Sequence, residues 1–534
     1  MKRILTPFLS LIFTGVFSCP TIAQPIIEWQ SSPSGIDFEG FGSSCLIQTM
    51  DGGYVFAGQS NHTLTVDVTI IKMRSDGTIE WQKNFGGPGI DFANSIIQTI
   101  DGGYLFAGET DSMISEGVYF HAKGDAWLVK LDSAGRMLWQ QCYGGTNWDR
   151  ANCVIQTQDG NYLFTGNTTS NDGDVKGDHT NAQDPSRGPT QDAWIVKVNP
   201  RGDLLWQKCL GGGLRDWGSS ILEGPDGSLV FAGYSESTDG DLVGNSGILG
   251  MWVLKLRDTA ITWRKFLYYS SGGDEIHSVC RLLDGSYVVT GTMIDNDTMG
   301  ADAITRSSDI WTVKLDSSGS LLWQRCLGGS GNEASFCVAA TSDSGCVIIG
   351  NTASEDDDLA ARVHAPNDAG DIWVIKLSQK GATQWSQWYG GSAQDFGFTI
   401  VPCTDGGFAF AGITVSSDGD VKSNTTKSWN SWIVKLKGDR ASVLSKDTMA
   451  FPLSISPNPS FNELSVFYAT TDQSRTQFVI YDLLGDPELQ TNDENTSIGE
   501  RQMKINVSKL PEGIYMLKVQ SGNQIATKNF TIMR

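Results

Sequence analysis

The sequence predicts an all-β chain: a seven-bladed β-propeller whose N-terminal strand closes the last blade, followed by a small C-terminal β-sandwich. Three observations support this prediction. A turn of the Asp-Gly-Gly type occurs seven times, a run resembling Trp-x-Val-Lys-Leu follows each turn, and a run resembling Trp-Gln also occurs seven times. Self-similarity at a fixed period is typical of solenoids and propellers.

The repeated landmarks keep the same order along residues 24–437. The turns begin at Asp51, Asp101, Asp159, Asp226, Asp284, Asp343 and Asp405. The lysines are Lys72, Lys130, Lys197, Lys255, Lys314, Lys376 and Lys435. The tryptophans of the Trp-Gln runs are Trp29, Trp81, Trp139, Trp206, Trp263, Trp323 and Trp385.

The second repeat shows the four strands of a predicted blade. They are SIIQT (95–99), YLFAGE (104–109), AWLVKL (126–131) and MLWQQCY (137–143). β-branched and aromatic residues fill these runs, and Gly, Asp and Ser bound them, as is typical of strands. The Asp-Gly-Gly between the first two runs tolerates the positive φ of a tight hairpin. A four-stranded antiparallel unit repeated radially is a propeller blade.

The order of the runs predicts how the ring closes. Trp29 belongs to a Trp-Gln strand that no Val-Lys-Leu strand precedes, and no Trp-Gln strand follows Lys435. We therefore expect the strand at Trp29 to complete the seventh blade.

Residues 1–23 are predicted to be a signal peptide. Lys2 and Arg3 form its basic start, an apolar stretch follows over residues 4–17, and residues 21–23 resemble a cleavage site before Gln24. The alternative is a lipoprotein signal, because residues 16–19 (VFSC) loosely resemble a lipobox. No later stretch is apolar over the ~18 residues that a transmembrane helix needs, so none is expected.

Composition excludes some classes of partner. The formal net charge is −21, which argues against nucleic acid as a ligand and suits an extracellular surface that recruits cations. The sequence contains ten cysteines, one of them in the signal peptide, and no Cys-x-x-Cys pair. We expect buried thiols; the alternative is disulfides between cysteines spaced alike in two repeats, Cys142/Cys153 and Cys326/Cys337.

A linker is predicted at 438–452, where the tryptophan pattern stops, and a second domain at 453–534. This domain contains Pro-Asn-Pro at 457–459, IYDLLG at 480–485, LPEGIYMLKV at 510–519 and a lysine-containing last strand. These four motifs resemble the C-terminal sorting domain of type IX secretion substrates. The resemblance implies Sec export, the type IX machinery as a partner, and release outside the cell or anchoring at its surface. The repeats are similar to those of other large secreted proteins, which implies no particular activity.

Acidic residues recur in the predicted rim loops in a pattern that suits Ca²⁺. The Asp-Gly-Asp acids are Asp172, Asp174, Asp239, Asp241, Asp418 and Asp420. A further acid precedes the third strand at Asp67, Asp125, Asp192, Asp309 and Asp371. Hard cations require several oxygens on a turn, so Asp172 and Asp174 could form a site with Asp178 or Asp192. The alternative is Asp-Gly turn chemistry on a solvated loop.

A second set of acids precedes the innermost strands. Its members are Asp91, Asp149, Asp216, Asp274, Glu333 and Asp395. They could line the channel mouth, but one acid in each of these repeats favours a structural role, in which each carboxylate accepts backbone N–H bonds within its own loop. The five histidines, His62, His121, His179, His277 and His364, are expected in rim loops, scattered over different blades.

The sequence favours a non-enzymatic scaffold that binds a glycan or protein, with the rim loops of the third and sixth repeats as the favoured ligand sites. Neither an HExxH nor a GxSxG motif is present, no catalytic residue is assigned and no cofactor is required. The alternative is an extracellular carbohydrate-active enzyme, a glycosidase or lyase, that uses rim-loop carboxylates.

Overall fold

A computed structural model describes residues 25–33, 45–62, 65–112, 121, 123–179, 190–245, 249–268, 274–294, 308–356, 358, 370–424, 428–438, 453–456, 462–470, 475–481, 487–495, 499–511, 513–521 and 524–532. The chain divides into two compact units, Met1–Asp439 and Arg440–Arg534. The predicted signal peptide and nearly all of the predicted linker lie outside the described residues.

The described residues of the first unit form seven four-stranded antiparallel sheets, which we number in chain order. The first strand of the chain, β1 (Ile27–Ser31), belongs to sheet 7. The strands of sheets 1 and 2 are β2 (Leu46–Gln48), β3 (Tyr54–His62), β4 (Thr65–Met73), β5 (Ile79–Phe85), β6 (Asp91–Gln98), β7 (Tyr104–Thr110), β8 (Asp125–Leu131) and β9 (Met137–Tyr143). Those of sheets 3 and 4 are β10 (Asp149–Gln156), β11 (Tyr162–Thr168), β12 (Asp192–Val198), β13 (Leu204–Leu210), β14 (Asp216–Glu223), β15 (Leu229–Ser235), β16 (Gly250–Arg257) and β17 (Ala260–Leu267).

Those of sheets 5 and 6 are β18 (Asp274–Arg281), β19 (Tyr287–Ile294), β20 (Ser308–Leu315), β21 (Leu321–Leu327), β22 (Glu333–Ala340), β23 (Cys346–Thr352), β24 (Asp371–Leu377) and β25 (Thr383–Tyr389). Sheet 7 has β26 (Asp395–Pro402), β27 (Phe408–Thr414), β28 (Asn430–Leu436) and β1. A 3₁₀ turn, Gly240–Leu242, lies in the fourth repeat. This succession of like sheets is a propeller-like repeat fold, and we call the first strand of each sheet its inner strand.

The second unit is also built of strands. One of its sheets has the order β29 (Leu453–Ser456), β30 (Glu463–Thr470), β33 (Gly499–Asn506). The other has the order β32 (Pro487–Asp493), β31 (Thr476–Tyr481), β34 (Gly513–Ser521), β35 (Gln524–Ile532). One apolar cluster includes buried residues of both sheets, such as Val466 and Phe478, as in a β-sandwich. In the part of the chain that the structure describes, no helix is long and apolar enough to span a membrane.

Burial explains the strand composition of each repeat. In sheet 2 every residue of β7 and β8 is buried, because both faces of these middle strands pack against neighbouring sheets. Apolar clusters are accordingly shared between sheets, and one contains Leu105 of β7 together with Phe164 of β11. The outer strand β9 has the predicted bounds, 137–143, whereas the inner strand β6 begins at Asp91, four residues before the predicted start at Ser95.

The N-terminal strand β1 pairs with β28, as the orphan Trp-Gln run predicts. Trp29 lies opposite Lys435 in this antiparallel pairing. The Trp29 ring covers the turn of the first repeat, where a side-chain carbon on Gly77 would lie 2.6 Å from it. Its indole N–H donates to the Ser75 carbonyl at 3.0 Å, so β1 contacts the first sheet and the last.

The lysine of each third strand is held by the acid of its own Asp-Gly turn. Lys376 has a side chain only 7% exposed, and its Nζ lies 2.8 Å from Asp343 Oδ2. It also donates to the Leu377 carbonyl at 3.1 Å and to Gln384 Oε1 at 2.8 Å. Equivalent pairs are Lys72–Asp51, Lys130–Asp101, Lys197–Asp159, Lys255–Asp226, Lys314–Asp284 and Lys435–Asp405. The pair joins the first hairpin of each sheet to its third strand.

The cysteines behave as apolar core residues. Among the described residues, the nine cysteines from Cys45 to Cys403 are not joined to one another, so neither Cys142/Cys153 nor Cys326/Cys337 is a disulfide. Cys280 and Cys326 are half-buried and the others are buried. Burial raises the pKa of the Cys346 thiol to about 12, which keeps it protonated and unreactive.

Removing β1 is expected to destabilise the protein, because β28 would become an unpaired edge strand. We expect a chain that starts at residue 34 to melt several degrees lower, or to aggregate, compared with a chain that starts at residue 25. The two chains differ only in β1 and its flanks. Identical melting profiles by circular dichroism would contradict a structural role for this strand.

The Lys376–Asp343 pair predicts an acid-dependent loss of stability. Partial burial opposes ionisation of Asp343, but hydrogen bonds from Lys376 and Thr341 outweigh it and lower its pKa to about 2. Its contribution is therefore complete above the unfolded pKa near 4 and is lost as the pH falls towards 2. We expect Asp343→Asn to cost roughly 1–2 kcal/mol of unfolding free energy at pH 6 and much less at pH 2.5. Urea titrations should show no such pH-dependent cost when the same change is made in a Lys376→Met background.

Candidate functional site

A buried acid begins most inner strands and anchors the connection that precedes it. Asp149 is 1% exposed. Its Oδ2 accepts the Gly145 N–H at 2.7 Å and the Ser170 hydroxyl at 2.8 Å, and its Oδ1 accepts the Thr168 hydroxyl. The equivalent acceptors of a backbone N–H are Asp91, Asp216, Glu333 and Asp395. The structural role predicted for these acids is therefore confirmed; the side chain of Asp274 lies outside the description.

Four of the anchoring aspartates, Asp91, Asp149, Asp216 and Asp395, have a raised pKa. Burial raises the pKa of Asp149 to about 6 and that of Asp216 to about 7, although hydroxyl and backbone donors oppose the shift. The neighbouring Asp125 also raises the pKa of Asp149, and Asp192 raises that of Asp216. The raised pKa follows from this environment and does not by itself mark catalysis.

Each of six inner strands contains a β-bulge at the same place. In β10 the register shifts between Ala151 and Cys153, so that Asn152 has no partner on the next strand. The residues that the register skips, in chain order, are Asn94, Asn152, Ser219, His277, Phe336 and Phe398. A bulge redirects a side chain out of the regular alternation of a strand.

Several bulge side chains connect one inner strand to the next. The Asn94 amide donates to the Ala151 carbonyl at 2.9 Å, and the Asn152 amide to the Gly218 carbonyl at 2.8 Å. His277 occupies the equivalent place, with Nδ1 at 2.6 Å from the Ser335 carbonyl. Because a carbonyl only accepts, Nδ1 of His277 carries a proton.

Five of these bulge residues line one cavity of about 510 Å³, which we call the central cavity. Its lining residues are Asn94, Glu109, Trp148, Asp149, Arg150, Asn152, Asn167, Thr169, Gln191, Trp217, Ser219, Tyr234, Glu275, His277 and Phe336. They come from sheets 2 to 6, and the volume is in the range of small-molecule sites.

Aromatic rings form two stacks in the wall of the central cavity. Trp217 and Tyr234 lie nearly parallel, with ring centroids 4.5 Å apart. His277 and Phe336 also stack, with centroids 5.4 Å apart. Trp148 is 49% exposed, and flat apolar faces of this kind bind the C–H faces of ligands.

Charged groups in the cavity are paired with each other. Arg150 Nε donates to Glu109 Oε2, and the Glu109 side chain is 7% exposed. Glu275 Oε2 lies 3.6 Å from His277 Nε2. The hydrogen bond from His277 lowers the pKa of Glu275 despite its burial, so this carboxyl is an anion and an acceptor at neutral pH.

The central cavity is a site that the sequence analysis missed. His277 lies in the inner strand β18, so the prediction of a rim loop was wrong for it, and His62 lies within β3. His364 and much of the third and sixth rim loops, residues 180–189 and 359–369, lie outside the described residues. The sequence did contain a signal of this cavity. Counting the anchoring acid as the first residue of the inner strand, the second and fourth residues vary between repeats, as in Asp149-Arg150-Ala151-Asn152 and Asp216-Trp217-Gly218-Ser219.

The first acids of the Asp-Gly-Asp motifs hold the connection between successive sheets. Asp172 accepts the Thr146 N–H at 2.7 Å and its hydroxyl at 2.9 Å. Asp418 accepts from the N–H and hydroxyl of Ser392, both at 2.7 Å, and Asp239 accepts the Gly213 N–H at 2.7 Å.

The second acids of these motifs lie at the glycine before the same connection. The N–H groups of Asp174, Asp241 and Asp420 donate to the carbonyls of Gly144, Gly211 and Gly390, at 2.8, 2.9 and 2.8 Å. Asp174 and Asp192, which the sequence analysis grouped, therefore face different glycines, because Asp192 approaches Gly211. Among the described residues, no three His, Cys, Asp or Glu side chains form a ready-made metal-binding group.

Asp178 and Asp192 lie near His179. The ring Nδ1 and the backbone N–H of His179 both approach Asp192 Oδ2, at 2.8 and 2.9 Å. His179 Nε2 lies 3.9 Å from Asp241 Oδ2. The hydrogen bond to Asp192 raises the pKa of His179. Burial, with a smaller contribution from Asp178, raises that of Asp192.

Comparisons with known proteins identify part of the chain. Residues 454–533 match the family "Secretion system C-terminal sorting domain". A regulatory protein, FlaEY of Caulobacter vibrioides, is 26% identical over 159 residues, which are 28% of this chain and 17% of that protein. The chain thus spans less than a fifth of the curated relative that it matches.

Solved structures are similar at low identity. PorZ, a surface component of the type IX secretion system of Porphyromonas gingivalis, is 11% identical; the match covers 94% of this chain and 60% of that one, with a TM-score of 0.41. The polysaccharide lyase Uly1 is 9% identical; the match covers 78% of this chain and 94% of that one, with a TM-score of 0.46. The family match at the C-terminus indicates where the protein is sent. Residues 454–533 are a type IX secretion sorting domain, and the protein is secreted to the cell surface or the extracellular space.

Proposed function

We propose that this protein is a secreted, non-enzymatic binding protein in which a closed seven-bladed propeller holds a glycan in the central cavity. The observation that carries the proposal is the pattern of the inner strands. Their anchoring acids repeat, whereas the cavity-facing positions hold Arg150, Trp217 and Glu275 in successive sheets. A ligand site breaks the symmetry of a repeat scaffold in this way.

Contacts between the first and last sheets support closure of the ring. Inner strands of successive sheets touch throughout the series, and β2 touches β26 in the same manner. The Tyr54 hydroxyl donates to Cys403 Sγ at 3.5 Å, and the Thr404 N–H to Gln48 Oε1 at 2.8 Å. One apolar cluster contains residues of sheets 1, 2 and 7.

The chemistry of the cavity favours a neutral glycan. Trp217, Tyr234 and Trp148 offer ring faces for the C–H groups of a sugar. The Glu275 carboxylate and amides such as Gln191 offer partners for hydroxyls. The Arg150 guanidinium is paired with Glu109 and Glu275 remains anionic, so a polyanionic ligand would face uncompensated charge.

The alternative is a carbohydrate-active enzyme, and the observation that favours it is the presence of Glu109, Glu275 and Tyr234 in one cavity. Glycosidases need one protonated and one ionised carboxyl. Glu275 supplies an anion, but Glu109 is bonded to Arg150, and the raised-pKa Asp149 already holds three donors. With these carboxyl groups engaged, binding without turnover is the better-supported function.

A glycan array tests the binding function. We expect the mature protein to bind neutral glycans, with Trp217→Ala and Glu275→Gln each weakening the affinity about tenfold, or ~1.4 kcal/mol. Glu223→Gln is the matched control, because Glu223 lies at the opposite end of an inner strand and bonds the Gln158 N–H at 2.7 Å.

Two results would count against this function. Equal binding by Trp217→Ala and wild type would remove the central cavity from consideration. Release of reducing ends or unsaturated products from a bound glycan, lost in Glu275→Gln, would establish the enzyme instead.

The sorting domain predicts the behaviour of a truncated chain. Without residues 453–534 the repeat domain should fold but remain in the periplasm of its native host, because the type IX machinery recognises the C-terminal domain. Fusion of residues 453–534 to a periplasmic reporter should carry the reporter out. Immunoblots of periplasm and medium measure the retention of the truncated chain and the export of the reporter. Export of the truncated chain at wild-type level would refute the sorting role of residues 453–534.

A further inference from the structure

Two carboxylates approach one glycine at five junctions between successive sheets, around Gly86, Gly144, Gly211, Gly328 and Gly390. At the junctions between sheets 2 and 3 and between sheets 3 and 4, a histidine also bonds one acid of the pair. Asp192, at the start of β12, and Asp216, at the start of β14, face Gly211. A side-chain carbon on Gly211 would lie 2.9 Å from Asp192 Oδ1 and 2.5 Å from Asp216 Oδ2. Gly144 is the equivalent glycine for Asp125 and Asp149, with Asp125 Oδ1 at 2.9 Å from such a carbon. Only glycine lets both acids come this close to the backbone.

One oxygen of each pair has no hydrogen-bond partner. The side chains of Asp125 and Asp192 are 0% exposed. In each, Oδ2 is bonded to a histidine, whereas Oδ1 is buried without a donor among the described residues. A buried anionic oxygen without a donor is costly, and such an oxygen in a native structure indicates an ion or a water that satisfies it. The equivalent oxygen, Oδ1, lacks a donor in both of these repeats, so an irregularity confined to one repeat does not explain the missing donor.

A third carboxylate stands beside each pair. Asp174 Oδ2 accepts the Gly144 N–H at a long 3.4 Å, and Asp241 Oδ2 is buried 3.9 Å from His179 Nε2. Two or three carboxyl groups therefore meet at each junction, beside a single imidazole, His121 or His179. The acids do not yet surround one point at metal–ligand distance, so the third must turn from its loop when an ion is bound.

We propose that each junction binds one divalent cation, Ca²⁺, held by Asp125 and Asp149 with Asp174 at the first, and by Asp192 and Asp216 with Asp241 at the second. Carboxylate oxygens from three segments, completed by water, match the flexible all-oxygen sphere that Ca²⁺ accepts. Mg²⁺ requires a stricter octahedron and gives up its waters reluctantly. The ion would join a third strand of one sheet to the inner strand of the next and to the following rim loop.

Equilibrium dialysis of the chelator-treated mature chain against Ca²⁺ tests this proposal. We expect two saturable sites per chain, which an equal concentration of Mg²⁺ leaves occupied, and a melting temperature that rises with Ca²⁺ at constant ionic strength. Asp125→Asn and Asp192→Asn should each remove one site. Asp172→Asn is the matched control, because it makes the same change in the loop that contains Asp174. It should keep both Ca²⁺ sites, since the Asp172 carboxylate is bonded to Thr146.

Three outcomes would overturn the proposal. The first is fewer than two saturable sites in wild type, a result that needs no variant to fold. The second is loss of a site in Asp172→Asn but not in Asp125→Asn, which would place the ion in the loop alone. The third is stabilisation by Asp125→Asn without Ca²⁺, together with no response of wild type to Ca²⁺, since the carboxylates would then share a proton.

Discussion

The anchoring acid at the start of an inner strand is the interaction on which the rest of the repeat depends. Asp149 bonds the connection before it through the Gly145 N–H and the end of the neighbouring strand through the Thr168 and Ser170 hydroxyls. These bonds fix the direction in which the strand enters its sheet, and the bulge three residues later then has a defined place. Because the acid is buried and its partners are neutral donors, its removal would leave several buried polar groups unsatisfied.

The strands follow from the sequence wherever burial alone decides their composition. The middle strands, such as β7 and β8, are buried on both faces and are apolar over most of their length, so their positions can be predicted closely. The inner strand was predicted too short, because polar Asp91 and Asn94 near its start resemble a loop and the bulge interrupts the period of two. The same bulge hid the central cavity, since nothing in the composition of Asn152 or His277 shows that they leave the ladder.

The scaffold separates the residues that fold it from those that meet a ligand. Anchoring acids, buried lysines and apolar middle strands repeat from sheet to sheet, while Arg150, Trp217 and Glu275 occupy one structural position with three different chemistries. A substitution at such a position alters the cavity and leaves the ladder and its bonds intact. The ligand could therefore change between related proteins with little cost in stability.

The pairing of β1 with β28 has a consequence for the time order of folding. Residues 27–31 are made long before residues 430–436, so this strand has no partner while some four hundred residues are synthesised and exported. Contacts across such a separation form late and slowly. The repeat domain consequently reaches its final form only when its last sheet has emerged, and a chain stalled in mid-export would keep an open edge, a recognisable target for proteases.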